Sequence, residues 1–181
     1  IPDETYKIET KIDFNTKVLG TQSASIDNIN KFKNEISAAR TFSFLHELES
    51  LLENGLIKGG DLNNAIVYVD KPLANSNMDR LKKAFNKDSI SVKPNGILDN
   101  LNLHYPNEAA RHKLLDVIGD LALIGMKIRG KVIAEKPGHS INAKFAQKIC
   151  ELIKADRKNI LPKLDFDKKP LMDSNHIMKI I

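Results

Sequence analysis

The chain has 181 residues, of which 41% are hydrophobic and 28 are Lys or Arg against 23 Asp or Glu, giving a net charge of +5. That length is enough to bury the core of one domain, and no apolar run approaches the ~20 residues that cross a bilayer, which predicts no transmembrane segment. Much of the basic excess falls in residues 144–169, and with no Trp and three Tyr the composition argues against a nucleic-acid surface. The single Cys150 and a start without a leader pattern predict a cytoplasmic protein.

The first third of the chain alternates between strand and helix patterns. Apolar residues at every second position predict a half-buried strand over residues 6–14. A helix is predicted over residues 28–38 with Asp27 as its N-cap, and a second helix over residues 44–54, closed by Gly55.

The middle of the chain predicts little regular structure. A short buried strand is expected over residues 65–69. Residues 71–105, rich in Pro, Asn and Asp, are expected to be mostly irregular, with residues 78–85 as the best local helix.

The last part predicts a long helix over residues 106–124, a strand over 127–134 and a helix over 140–155. The mixed order of strands and helices predicts an α+β fold, a two-layer sandwich of a mixed sheet and helices. Residues 1–155 are expected to form this domain, and residues 156–181, rich in Lys, Asp and Pro, an irregular basic linker.

Three polar side chains share one face of the long helix. At ~100° per residue, His112, Asp116 and Asp120 fall within a sector of about 80°. A carboxylate among Leu and Val side chains must be paired, hydrogen-bonded or bound to a cation. The spacing therefore points to a metal or proton-transfer site, although a solvated face with a local His/Asp hydrogen bond fits the spacing as well. A further histidine, His139, follows the predicted strand in a loop, where a rigid scaffold can orient catalytic groups.

Three motifs, in this order along the chain, resemble the second domain of the UDP-3-O-acyl-N-acetylglucosamine deacetylases, zinc amidases of lipid A biosynthesis. They are Ala-Arg-Thr-Phe-Ser-Phe (39–44), Arg-His-Lys-Leu-Leu-Asp-Val-Ile-Gly-Asp-Leu (111–121) and Lys-Pro-Gly-His (136–139) followed by Asn142. The resemblance covers about residues 5–154. Ser43 stands where the family usually has Gly, and Pro137 where it usually has Ser; neither change removes a reacting group.

The resemblance implies a catalytic role for each of five residues. His112 and Asp116 would bind zinc, His139 would be the partner acid, Asp120 would orient it and favour its charged form, and Thr41 would stabilise the oxyanion. The third zinc ligand and the general base would come from a first domain that this chain does not contain.

The resemblance also implies where the substrate lies. Lys113 and Lys136 would meet the pyrophosphate, with Lys113 also beside the reacting centre. Asp13 and Phe14 would receive uracil and ribose. The acyl passage would be formed by a small β-α-β insert between Thr41 and Tyr68, through Phe42, Leu48 and Ile57.

The predicted function is thus hydrolysis of the N-acetyl amide of UDP-3-O-(3-hydroxyacyl)-N-acetylglucosamine, with this chain as the second half of the enzyme. The alternative is a non-catalytic module that binds nucleotide-sugar or acyl chain, because one metal ligand and the base are missing. Residues 173–181 resemble the opening of the 3-hydroxyacyl-carrier-protein dehydratases, which implies a fused dehydratase domain.

Overall fold

The computed structural model describes residues 1–48, 64–71, 79, 82, 88–99 and 101–160, with side chains up to residue 156. Along the chain, the elements with defined bounds are β1 (Tyr6–Asp13), β2 (Thr21–Ile26), a 3-10 turn (Ile29–Lys31), α1 (Phe32–Glu35), β3 (Thr41–Phe44), β4 (Ala65–Tyr68), α2 (Glu108–Ala122), β5 (Gly130–Glu135) and α3 (His139–Ile160).

The main sheet has three strands in the order β2-β1-β5. β1 runs antiparallel to β2, with Ile8 opposite Ile26, and parallel to β5, with Tyr6 opposite Gly130. The predicted alternation in β1 is confirmed, since Ile8 and Ile12 are buried while Lys11 between them is exposed. One face of the sheet therefore carries the core.

Two helices cover the apolar face of this sheet. α2 packs against β1, β2 and α3, and its buried residues include Leu114, Val117 and Leu121. Gly125, in the left-handed region at φ 71°, lies just beyond the end of α2, where a residue without a Cβ ends a helix at low cost. The sheet and the helices confirm the predicted α+β class, and no helix in the described part of the chain is long and apolar enough to cross a membrane.

A second, two-stranded sheet is formed by β3 and β4. These strands are parallel, with Thr41 opposite Ala65 and Phe44 opposite Tyr68. The strands of the predicted β-α-β insert are therefore present and in register. Of the segment that connects them, residues 45–48 are helical.

Several predicted boundaries were wrong. In place of a helix over residues 28–38 there are only the 3-10 turn and the four-residue α1, and the N-cap is Asn28 rather than Asp27. Phe44 ends β3 and does not begin a helix. The helix predicted to end at residue 155 continues to Ile160.

Other predictions fall largely beyond the described residues. Of the helix predicted over residues 78–85, Asp79 and Lys82 are described, both as helical. Most of the predicted helix over residues 44–54 and the tail over 161–181 are not among the described residues.

Candidate active site

His112 and Asp116 bring two metal-ligating atoms together on α2. His112 Nε2 lies 3.5 Å from Asp116 Oδ1, and the side chain of Asp116 is 8% exposed. Two ligands at about 2.0–2.2 Å from a tetrahedral metal lie about 3.3–3.6 Å apart. The observed spacing therefore suits a shared divalent metal ion.

The orientation of the His112 ring also suits a metal ligand. Its Nδ1 lies 3.3 Å from the carbonyl oxygen of Ala39, and its face meets the Phe42 ring edge-on, with 6.5 Å between centroids. A proton on Nδ1 that is donated to this carbonyl leaves the lone pair of Nε2 for the metal. Within the described ranges, no group of three His, Cys, Asp or Glu side chains converges on one point.

Lys113 forms an ion pair with the other carboxylate oxygen of Asp116. Its Nζ lies 2.9 Å from Asp116 Oδ2 and 5.7 Å from the centroid of the Phe42 ring. The carboxylate that the sequence placed among Leu and Val side chains thus has a cationic partner. The predicted contact of Lys113 with pyrophosphate remains a prediction.

His139 stands over the same face of α2, held by a second carboxylate. Its Nδ1 lies 3.0 Å from Asp120 Oδ2, and its Nε2 lies 3.9 Å from Asp116 Oδ2. The amide nitrogen of Asn142 donates to Asp120 Oδ2 at 2.8 Å. α3 begins at His139 and packs on α2. The imidazole is 71% exposed, but its Nδ1 is held by Asp120. Its free nitrogen faces the His112/Asp116 pair.

Aromatic residues connect this centre to the end of β1. Phe42 contacts Phe14 edge-to-face, with 5.4 Å between ring centroids. Asp13 precedes Phe14, and its Oδ2 lies 3.5 Å from Lys136 Nζ. A hydrogen bond from the backbone N–H of Asn15, opposed by some burial and aided by Lys136, lowers the pKa of Asp13.

Lys136 is placed in an unusual backbone conformation, with φ at 48°. Its N–H donates to the carbonyl of Lys11 at 2.7 Å, which ties the loop carrying His139 to the carboxyl end of the central strand β1. Asp13, Phe14 and Lys136, which are predicted to bind the nucleotide, thus lie close together at this end of the sheet.

The remaining predicted site residues belong to the insert. Thr41 is exposed at the start of β3, next in sequence to the segment that contacts His112. Leu48 is half-buried and packs on a small cluster formed by Leu45, Val67 and Leu98, while Ile57 lies outside the described residues. The acyl passage therefore remains a prediction.

The sequence analysis did not predict a buried ion pair beside the site. Arg40 Nε lies 2.8 Å from Glu108 Oε1, and the Glu108 side chain is fully buried. Although burial raises the pKa of this carboxyl, hydrogen bonds from the side chain and backbone of Arg40 and from the backbone of His104 outweigh it and lower the pKa. One signal was available: Glu108 lies one turn before His112, on the same face of α2.

The fold and the site together define a class of protein: an α+β domain with a His/Asp pair on one helix and a carboxylate-held histidine beside it. Comparison with known proteins supplies the family. The chain matches the family described as UDP-3-O-acyl N-acetylglycosamine deacetylase over residues 1–87 and 77–151. The chain belongs to this deacetylase family.

Some of its relatives are named as bifunctional enzymes. The chain is 45% identical to "Bifunctional enzyme LpxC/FabZ" of Porphyromonas gingivalis and 40% identical to the protein of the same name from Bacteroides thetaiotaomicron, in both cases over the whole chain and 39% of the relative. It is 37% identical to the UDP-3-O-acyl-N-acetylglucosamine deacetylase of Thermodesulfovibrio yellowstonii, over 83% of the chain and 43% of the relative. The chain thus spans about two-fifths of the length of these curated relatives.

Proposed function

We propose that this chain is the second half of a zinc-dependent deacetylase that hydrolyses the N-acetyl amide of UDP-3-O-(3-hydroxyacyl)-N-acetylglucosamine in lipid A biosynthesis. One observation carries the proposal: His139, anchored by Asp120, directs its Nε2 toward the His112/Asp116 pair at 3.9 Å from Asp116 Oδ2. Amide hydrolysis by a metalloenzyme needs a metal ion that activates water and a proton donor for the leaving amine. The His112/Asp116 pair would hold the metal, and His139 would be the proton donor.

His112 Nε2 and Asp116 Oδ1 would hold the zinc, with a third ligand from the preceding half of the enzyme. When bound there, zinc would act as a Lewis acid toward the attacking water and the amide carbonyl. The neighbouring Lys113 helps to orient Asp116, because its ammonium group contacts the oxygen that does not face His112.

His139 would donate the proton of Nε2 to the departing amine nitrogen. Asp120 holds the opposite ring nitrogen, so the orientation of the imidazole is fixed. Thr41 would donate its hydroxyl hydrogen to the carbonyl oxygen as negative charge develops there.

The nucleotide end of the substrate would lie along the edge formed by Phe14, Asp13 and Lys136. The Phe14 ring is 41% exposed and offers a face to a planar base, and Lys136 offers a compact positive charge to the pyrophosphate. Phe42 lies between this edge and the reacting centre, and would begin the passage for the acyl chain.

We also propose that residues 156–181 lead into a fused dehydratase domain. The alignment with the bifunctional relatives runs over the whole chain, whereas that with the Thermodesulfovibrio yellowstonii deacetylase covers 151 residues. We also propose a cytoplasmic location. The single cysteine supports it, because proteins of reducing compartments rarely contain disulfides.

The test is a chimera. The 181-residue segment of the Porphyromonas gingivalis enzyme that aligns with this chain is replaced by this chain, and release of acetate from the UDP-sugar is measured with zinc present. We expect deacetylation. A folded chimera that binds the UDP-sugar but releases no acetate would favour the non-catalytic binding module instead.

A further inference from the structure

The peptide unit between Ala39 and Arg40 is held at both ends by side chains of α2. Its N–H donates to Glu108 Oε1 at 3.0 Å, and its carbonyl oxygen lies 3.3 Å from His112 Nδ1. In a trans peptide these two groups point in opposite directions. Since Glu108 and His112 are one helical turn apart, the peptide fits between them along the helix axis.

The carboxylate at one end of this chain of hydrogen bonds is fixed. Arg40 donates to Glu108 through Nε at 2.8 Å and Nη2 at 3.1 Å, and the N–H of His104 donates to Oε2 at 2.6 Å. Each carboxylate oxygen therefore has two donors. Glu108 is fully buried and Ala39 is 6% exposed, so water has little access to replace these contacts.

We propose that Glu108 is a positioning residue for His112 and acts on it through the Ala39–Arg40 peptide. This inference rests on the proposed function in taking His112 as a metal ligand. A negative charge at the N–H end polarises the peptide and makes its carbonyl a stronger acceptor. The carbonyl then holds the proton of His112 on Nδ1 and leaves the lone pair of Nε2 facing Asp116.

Metal-binding histidines commonly receive this support from a carboxylate or a carbonyl in direct contact. Here the support from the carboxylate is indirect. The buried Glu108 accepts from the N–H of the Ala39–Arg40 peptide, and the carbonyl of the same peptide contacts His112 Nδ1. The same peptide leads directly to Thr41, so Glu108 also fixes where β3 begins relative to α2.

The test reads the protonation of the ring directly, without a metal. The two ring nitrogens of His112 are observed by long-range ¹H–¹⁵N NMR in the metal-free full chain, at a pH where imidazoles are neutral, and are assigned by comparison with His112→Gln. We expect the Nδ1–H form in the wild type, although exposed histidines favour Nε2–H. An Nε2–H form in the wild type would overturn the proposal, whether or not any variant folds.

Two variants separate positioning from loss of the ion pair. Glu108→Met keeps the volume but removes the acceptor for the Arg40 N–H, so His112 should shift toward the Nε2–H form. Arg40→Met removes the guanidinium group but keeps the backbone N–H, so the Nδ1–H form should persist. Circular dichroism confirms the fold of each. An unchanged ring in Glu108→Met, or an equal shift in Arg40→Met, would contradict the role of the peptide.

Zinc titration of the same variants supplies the second measurement. Glu108→Met should weaken zinc binding by about 10- to 100-fold, the usual effect of losing support of this kind, and Arg40→Met by clearly less. If the ring behaves as expected but His112→Gln leaves zinc binding unchanged, the proposed metal site is wrong while the positioning of the ring by Glu108 stands.

Discussion

Two carboxylates one turn apart on α2 have different neighbours. Asp116 faces His112 on one oxygen and Lys113 on the other, whereas Asp120 faces His139 and Asn142. The helical spacing alone placed both acids on one face of α2. In the proposed mechanism these neighbours correspond to different roles: Asp120 would hold the proton donor His139, and Asp116 would bind the metal with His112.

Loss of the proton donor should slow the reaction without removing the metal. In the chimera, His139→Ala should lower the catalytic rate by about 10²- to 10⁴-fold, the usual contribution of a positioned general acid, with zinc content near normal. Asp120→Ala should lower it less, because the imidazole remains. His46→Ala serves as a control, since His46 pairs with Asp70 and stacks on Phe44, whereas His139 pairs with Asp120. A normal rate for His139→Ala would remove His139 from the mechanism.

The isolated chain should bind zinc weakly through His112 and Asp116. Two protein ligands completed by water lack the third ligand that secures a catalytic site. Isothermal titration should show the binding abolished by His112→Ala or Asp116→Ala and retained in His46→Ala. Stoichiometric binding that survives in the His112→Ala, Asp116→Ala double variant would place the metal elsewhere.

The sequence predicted those parts of the site that depend on local geometry. The helix period alone brings His112, Asp116 and Asp120 together. His139 was singled out by its loop after a predicted strand, while its role beside Asp120 came from the resemblance. The Arg40–Glu108 pair was missed because its partners are 68 residues apart. No periodic pattern connects residues at that separation.

At the scale of elements, the Arg40–Glu108 pair joins the start of β3 to the start of α2. Arg40→Met should lower the free energy of unfolding by about 3 kcal/mol, because it leaves a buried carboxylate without its cation. The pKa of Glu108 is lowered from its ordinary value of 4.5. The unfolded chain therefore binds the proton more readily, and this contribution to stability is lost as the pH falls below about 5.

Urea unfolding at pH 7 and at pH 4 measures both effects. Glu108→Gln should lose stability at pH 7 and show a weaker dependence on pH than the wild type over this range. An identical dependence in the two proteins would show that other carboxylates control the acid response.

At Tyr6, the first residue of β1, a substitution is expected to raise stability rather than to lower it. Its hydroxyl is buried and has no hydrogen-bond partner among the described residues, and burial raises its pKa to about 12. Tyr6→Phe should therefore raise the free energy of unfolding by about 1 kcal/mol. Tyr105→Phe is the matched control: its hydroxyl donates to the carbonyl of Asn34 at 3.1 Å, so this variant should be less stable. Thermal unfolding compares the two.

Elements were predictable where a continuous apolar face meets the core. α2 was placed within two residues of each end because its buried residues recur at the helix period. The helix predicted over residues 28–38 failed because only Ile36 and Ala39 in that neighbourhood are buried, while Asn30, Asn34 and Ser37 have low helix propensity. Too little packing was available to extend α1.

At the scale of the whole molecule, the chain should fold alone and yet be inactive. Its main core joins β1, β2, α2 and α3 in one cluster of buried residues, which supports a cooperative transition. In the proposed mechanism catalysis also needs a third zinc ligand and a base from the preceding half of the enzyme, so we expect no acetate release from the chain alone. Calorimetry and an acetate assay test the two parts, and mixing with a separately made first half should restore some turnover. Robust deacetylation by the purified chain would show that the site is not shared.

The order of the main sheet has a consequence for synthesis on the ribosome. β1 can pair with β2 as soon as residue 26 has emerged, but its other edge is completed only by β5, more than a hundred residues later. Until α2 has emerged and packed on them, the two strands form an isolated hairpin, which is marginally stable in water. Until β5 has emerged, β1 also exposes a free edge that other chains can pair with. Because non-local parallel pairing is also slow, the nascent chain is most prone to aggregate before residue 135 has been released, and a slower passage through the β5 codons would lengthen that interval.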